Sequence, residues 1–275
     1  MLAAAGSQSR FAVAQNPIAW TGGIFFARYL ADGVRDFLRG DPVSLGHLAN
    51  LGIFQLIAWF AVLHLIGSRP RWISDGATAL VGLISLSAVL PDDGAAWVGL
   101  TAFAMYILAA FPKDRPLRAA AAVMLALATQ LFWGHLLFEL VAFRIEAADA
   151  WLAAELLKGL HHAVSLQGNL IGTESHQIVV YDACTSFHNV SVALLAFVSI
   201  TKLSRLDWNA GDLVTAAGLI LVTVMMNSLR LFLMASSAPG QLEFWHTGMG
   251  SQAINASLSA LIAILCLHGA TIRRA

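Results

Sequence analysis

Seven stretches of this chain are apolar over lengths close to those a helix needs to cross a hydrocarbon layer, with the charged residues clustered between them. A spanning helix takes about 20 mostly apolar residues. The stretches run from about Asn50 to Gly67, Ala77 to Leu90, Ala95 to Phe111, Leu117 to Leu140, Ser186 to Leu203, Asp212 to Ala235 and Gln252 to Gly269. At 58% hydrophobic and only 12% charged residues, a water-soluble globule is excluded. The expected fold is therefore all-α: a polytopic transmembrane bundle of seven or eight spans. The second and third spans are short and meet at Pro91-Asp92-Asp93-Gly94, a tight polar turn closing a helical hairpin.

Lysine and arginine accumulate in cytoplasmic loops, so their positions orient the bundle. Arg69, Arg71, Lys113, Arg115, Arg118, Lys202, Arg205, Arg273 and Arg274 fall on one side. The turn at Asp92 and the loop from Ser236 to Gly250 carry no Lys or Arg, and the stretch from Val141 to Thr185 carries only Arg144 and Lys158. That side reads as external, the periplasmic face of a cell inner membrane. Trp97, Trp133, Trp151 and Trp245 then fall near the outer boundary and Trp72 and Trp208 near the inner one, as interfacial aromatic belts require.

Residues 1–44 form a separate N-terminal helical segment, in which Pro17 to Leu38 reads as a helix carrying Arg28, Asp32, Arg35 and Asp36. It either lies in the interface or belongs to an eighth span running from near Phe11 to near Leu30. Residues 45–275 form the membrane-embedded bundle, with an external segment at 141–185. From Ala142 to Ala163, Phe143, Ala147, Trp151, Ala154 and Leu157 recur at a helical period, predicting an amphipathic helix on the outer surface. Gly168, Asn169 and Gly172 bracket two short apolar runs, which predicts a hairpin between Ser165 and Tyr181.

Arg230 is the sharpest anomaly, because it lies within an apolar span, roughly 6 to 8 Å below its outer end. A cation there either snorkels to the interface or finds a partner in the bundle. Asn227 lies three residues earlier and so on the same face. Cys184 stands at the outer start of the fifth span, where a helix N-terminus and a nearby cation lower a thiol's pKa and make it nucleophilic. The second cysteine, Cys266, lies deep in the last span and reads as a small buried hydrophobe, so no disulfide framework is expected. His246 sits in the cation-free loop before that span.

Loop charge alone thus places Cys184, Arg230 and His246 on one side at similar depth, giving a nucleophile, an oxyanion donor and a base a meeting place. His188, one turn after Cys184, competes with His246 for the role of base. His135 and Glu139 at i, i+4, with His161, His162 and His176, leave a metal-dependent hydrolase conceivable, although no HExxH or paired-cysteine motif supports a metal and none is assigned. A non-enzymatic transporter or scaffold, with Asn227 and Arg230 binding an anion or lipid headgroup, is the other alternative. With 16 basic and 16 acidic residues, neither nucleic acid nor a polybasic anchor enters the reading.

At these residues the chain resembles the exosortase/archaeosortase family of polytopic membrane cysteine enzymes. The resemblance rests on Ala183-Cys184, Asn227-Ser-Leu-Arg230 and His246-Thr-Gly248-Met-Gly250 in that order, with the Gly168-Asn169-Leu-Ile segment upstream. Where the family commonly reads Ala-Cys-Ser-Gly, this chain reads Ala-Cys-Thr-Ser. The resemblance implies a protease or transpeptidase that cleaves C-terminal sorting tails from exported proteins through a thioester and needs no cofactor. Each tail is a short motif such as Pro-Glu-Pro followed by a transmembrane helix and a basic cluster. Such a helical tail would enter laterally from the lipid, into a groove lined by Asn227 and the external hairpin, with His188 beside it.

Overall fold

The computed structural model describes residues 16–38, 52–67, 74–174, 176–204 and 207–271. Arg69, Arg71, Trp72, Arg205, Arg273 and Arg274, used above to orient the chain, lie outside the described residues, as does Phe11, the expected start of an eighth span. Helices dominate: α1 (Pro17–Leu38), α2 (Gly52–Gly67), α3 (Asp75–Leu86), α4 (Asp93–Ala110), α5 (Arg115–Ala128), α6 (Gly134–Gly159), α7 (Ser186–Ser204), α8 (Ala210–Ser236), the short α9 (Leu242–His246) and α10 (Met249–Thr271). Among the described residues, four helical stretches are long and apolar enough to cross a membrane, namely Arg115–Gly159, Ser186–Ser204, Ala210–Ser236 and Leu242–Gly269; three more, Gly52–Gly67, Asp75–Leu86 and Gly94–Ala110, are apolar but shorter. Large apolar side chains such as Leu83, Leu140, Leu213, Val214 and Ile264 project outward, the inverse of a soluble surface and what contact with lipid requires.

Local chemistry sets the helix starts. The Asp92 carboxylate accepts the backbone N–H groups of Gly94 and Ala95, opening α4 out of the predicted turn. Asp114 accepts from Leu117 N at 3.1 Å, with Pro116 in the first turn of α5, and Asn209 and Asp212 form a reciprocal capping box on α8.

The chain divides into two compact units. One holds the described residues up to Phe132 together with Val198–Trp208; the other holds Trp133–Phe197 and the described residues from Asn209 onward. In the first, α4 and α2 pack on α5, and α1 packs on α2 and α3 with Ile18 and Phe25 buried. Thr21 and Ser85 share a hydrogen bond of 2.8 Å, and Arg28 donates to the Leu90 carbonyl at 3.1 Å, so α1 runs parallel to α3 toward the Asp92 turn. Arg28 and Asp32 also pair at 2.8 Å. Tyr29 donates to Gln55, and Gln55 to Gln130 in a π-helical turn at Thr129–Trp133. Lys202 is only 2% exposed and lies over the Trp208 ring at 3.8 Å, and Arg115 at the start of α5 pairs with Asp207 at 3.2 Å.

In the second unit, α8 packs against α6 and α10, and α9 lies on α10. The expected hairpin is present and extends to a three-stranded antiparallel sheet in the order β1 (Ser165–Gln167), β2 (Leu170–Gly172), β3 (Gln177–Val179). Gly168 adopts φ +60 in the two-residue turn, a conformation that favours glycine, and Asn169 ties the turn to the helix by donating to Glu146 and to the Val180 carbonyl.

The external helix differs from its expected form in two ways. It is no separate element, since α5, the π turn and α6 run continuously from Arg115 to Gly159. And the expected face is buried only in part, at Ala154 and Leu157. Phe143 and Trp151 are 65% and 51% exposed, whereas Asp149, Ala150, Ala153, Ala154 and Leu157 are buried. Small side chains let helices approach closely, so the alanine face packs and the aromatic residues stay outside.

Candidate active site

Cys184 closes a 3-10 turn, Asp182–Cys184, that leads into α7. Its N–H donates to the Tyr181 carbonyl at 2.8 Å, and both the N–H and the hydroxyl of Thr185 donate to the Asp182 carbonyl at 2.9 Å. The residue is 4% exposed within a core of Ala150, Ala153, Leu157, Ile178, Val180 and Leu231, with Leu242 and Trp245 of α9 packed against the same cluster. Its neighbours are apolar because β2, β3, α6 and α8 each turn their inward residues to this point.

Asn227 comes to the same place from α8. Its Nδ2 donates to the Cys184 backbone carbonyl at 2.9 Å, which fixes the orientation of the amide and leaves Oδ1 buried without a hydrogen-bond partner among the described residues. One turn on, Arg230 does not snorkel outward. Its Nη2 donates to the His246 backbone carbonyl at 2.9 Å, its guanidinium lies within electrostatic reach of the Cys184 thiol, and its Nε is buried without a partner among the described residues. The expected inward-facing pair Asn227 and Arg230 is therefore present, with the cation beside the sulfur.

Two features depart from the sequence reading. First, the thiol is pushed above its ordinary pKa by burial, which outweighs the opposing pull of the Arg230 charge. A cation and a helix start were expected to lower it, but the apolar wall of the core removes the water that would solvate a thiolate. Second, His246 reaches Arg230 through its backbone carbonyl; its ring makes no hydrogen bond to the thiol. His188 is exposed on the first turn of α7, and its carbonyl accepts the Ser191 hydroxyl. Cys184, Asn227, Arg230 and the His246 backbone are thus brought together, and His188 stands outside that group.

The remaining histidines are dispersed. His135 and Glu139 approach to 3.9 Å with both side chains mostly exposed, His176 donates from Nε2 to the Met234 carbonyl at 3.1 Å, and His162 meets the Phe232 ring edge-on. Among the described residues, no three His, Cys, Asp or Glu side chains gather at metal-binding spacing. Cys266 is buried and unpaired with Cys184, as expected of a small core residue.

One site residue escaped the sequence reading. Asp149, 2% exposed, accepts the Ser186 N–H at 2.6 Å, two residues beyond Cys184. Its signal was a lone carboxylate among alanines, in line with Ala153 and Leu157 at i+4 and i+8, the face that packs.

No curated protein and no solved structure matches this chain. A family model does, that of the transmembrane exosortase (Exosortase_EpsH), over residues 43–265. That match covers most of the chain and includes every residue of the cysteine site, and it shows that this membrane protein belongs to the transmembrane exosortase family.

Proposed function

We propose that this protein is a membrane cysteine protease or transpeptidase that removes C-terminal sorting tails from exported proteins, working at the external face of the inner membrane. Its bundle has seven or eight spans; the course of α1, parallel to α3 and toward the cation-free Asp92 turn, supports the eighth. The observation that carries the reading is Arg230. It is a cation inside an apolar helix, turned inward to a cysteine, with one nitrogen anchored on the His246 carbonyl and Nε uncommitted. Such a group is placed to meet charge that develops at the sulfur's target, where low dielectric makes it most effective.

In the proposed reaction the Cys184 sulfur attacks the scissile carbonyl, forming a C–S bond as charge develops on the carbonyl oxygen beside Arg230. A thiol held above its ordinary range is neutral at pH 7, so it needs a base in the substrate complex, and His246 takes that proton. The proton passes to the departing amine as the C–N bond breaks. Water or an acceptor amine then resolves the thioester. The tail enters from the lipid into a groove lined by Asn227 and the hairpin, with His188 contacting it at the rim, and it displaces Leu242 and Trp245, which pack against the core around Cys184.

The test is co-expression with a tail-bearing exported substrate, followed by blot. Cys184→Ala and Cys184→Ser are expected to abolish processing, and normal processing by either would end the proposal.

A further inference from the structure

The nucleophile's turn is held from two sides. On one, Asn227 of α8 donates to the Cys184 carbonyl. On the other, Asp149 of α6 accepts the N–H of Ser186, the first residue of α7. The intervening Thr185 is extended at φ −80 and ψ 157, where a helix cap normally sits, and its hydroxyl donates to the Asp182 carbonyl. The first N–H of α7, a donor with no partner inside its own helix, is satisfied by the carboxyl group of Asp149, 37 residues upstream. A carboxyl group buried among alanines is unfavourable unless hydrogen-bonded, and at 2.6 Å this bond is short.

From this geometry we infer that Asp149 is a positioning residue of the cysteine site: its hydrogen bond to Ser186 fixes the turn that presents the Cys184 sulfur to the substrate carbonyl. The inference rests on the proposed cysteine chemistry, since it assigns Asp149 no contact with the reacting atoms. Release of that end of the turn lets the sulfur drift by about an ångström, which in an oriented reaction costs about 100-fold in rate. An asparagine retains an oxygen acceptor in the same place, whereas alanine does not.

The experiment uses the full-length protein in membranes on a Cys266→Ala background, normalised to folded protein. It compares Asp149→Asn and Asp149→Ala by tail processing and by the rate at which a small neutral maleimide labels Cys184. Asp149→Ala is expected to lower kcat about 10- to 100-fold with KM little changed and to alter the labelling rate, and Asp149→Asn to restore both to within a few-fold of the parent. Parental kcat and labelling in Asp149→Ala overturn the inference, as do equal losses in both variants, which would mark a general structural or charge role. Processing that survives Cys184→Ala instead overturns the cysteine reading, while the labelling comparison still reports whether Asp149 holds the turn.

Discussion

Asn227 donates its side-chain Nδ2 to the backbone carbonyl of Cys184 at 2.9 Å, across 43 residues of sequence. The same helix turn carries Arg230, so one face of α8 both anchors the Cys184 backbone and brings a cation within electrostatic reach of its thiol.

Replacing Asn227 by leucine keeps the branched outline of the side chain but leaves the Cys184 carbonyl without its donor. An orphaned buried acceptor costs about 1–3 kcal/mol, partly offset here because the unpartnered Oδ1 is removed as well. Asn227→Leu is accordingly expected to shift Tm by no more than a few degrees while tail processing falls at least tenfold. Thermal unfolding in detergent and a processing time course measure the two, and a stability loss with unimpaired processing would contradict the anchoring role.

Burial and Arg230 act in opposite senses on the pH dependence of the thiol, and burial dominates. Burial holds Cys184 above its ordinary value and the cation pulls it back, so thiolate forms only as pH rises past the usual cysteine range, at about 8.5. On a Cys266→Ala background, labelling by a neutral reagent should climb about tenfold per pH unit up to and beyond that value. Arg230→Gln removes the pull, moves the climb to still higher pH, and lowers processing by about 100- to 1,000-fold. Arg230→Lys keeps the charge but loses the planar fork that holds His246, so it should retain more of the labelling than of the processing. A labelling plateau well below pH 8 in the parent protein would refute the buried-thiol account.

The two candidate bases separate by substitution. His246 reaches Arg230 through its backbone carbonyl, and in the proposed reaction its ring turns to the thiol as substrate binds; His188 is exposed on the first turn of α7. His246→Ala is expected to reduce kcat by at least about 100-fold, within the range of general-base losses, and His188→Ala to raise KM a few-fold with kcat retained. Steady-state kinetics on a purified tail substrate decides, and the opposite pattern would transfer the base to His188.

Much of this protein is written along the chain. Apolar length is a local property, so the helices at Gly52–Gly67, Ser186–Ser204 and Ala210–Ser236 start and end within a few residues of their expected bounds. Caps and turns act over three or four residues, which is why Asp92, Gly168 and Asn169 were legible as well. That Asn227 and Arg230 share a helix face followed from helical period alone, whereas its inward direction is seen in their contacts with Cys184 and His246.

What periodicity could not reach was decided by packing. Phe143 and Trp151 carry the larger hydrophobic payload, yet the alanine face around Asp149 is buried, because close approach of α6 and α8 rewards small side chains over large ones. The state of the Cys184 thiol was misjudged for a related reason: a cation and a helix start are visible in sequence, whereas desolvation is a sum over residues drawn from four elements. The contacts of Asp149 with Ser186, Asn227 with Cys184 and Arg230 with His246 bridge 37, 43 and 16 residues. Only the folded chain brings such groups within hydrogen-bonding distance, since no local spacing rule relates residues that meet across separate helices.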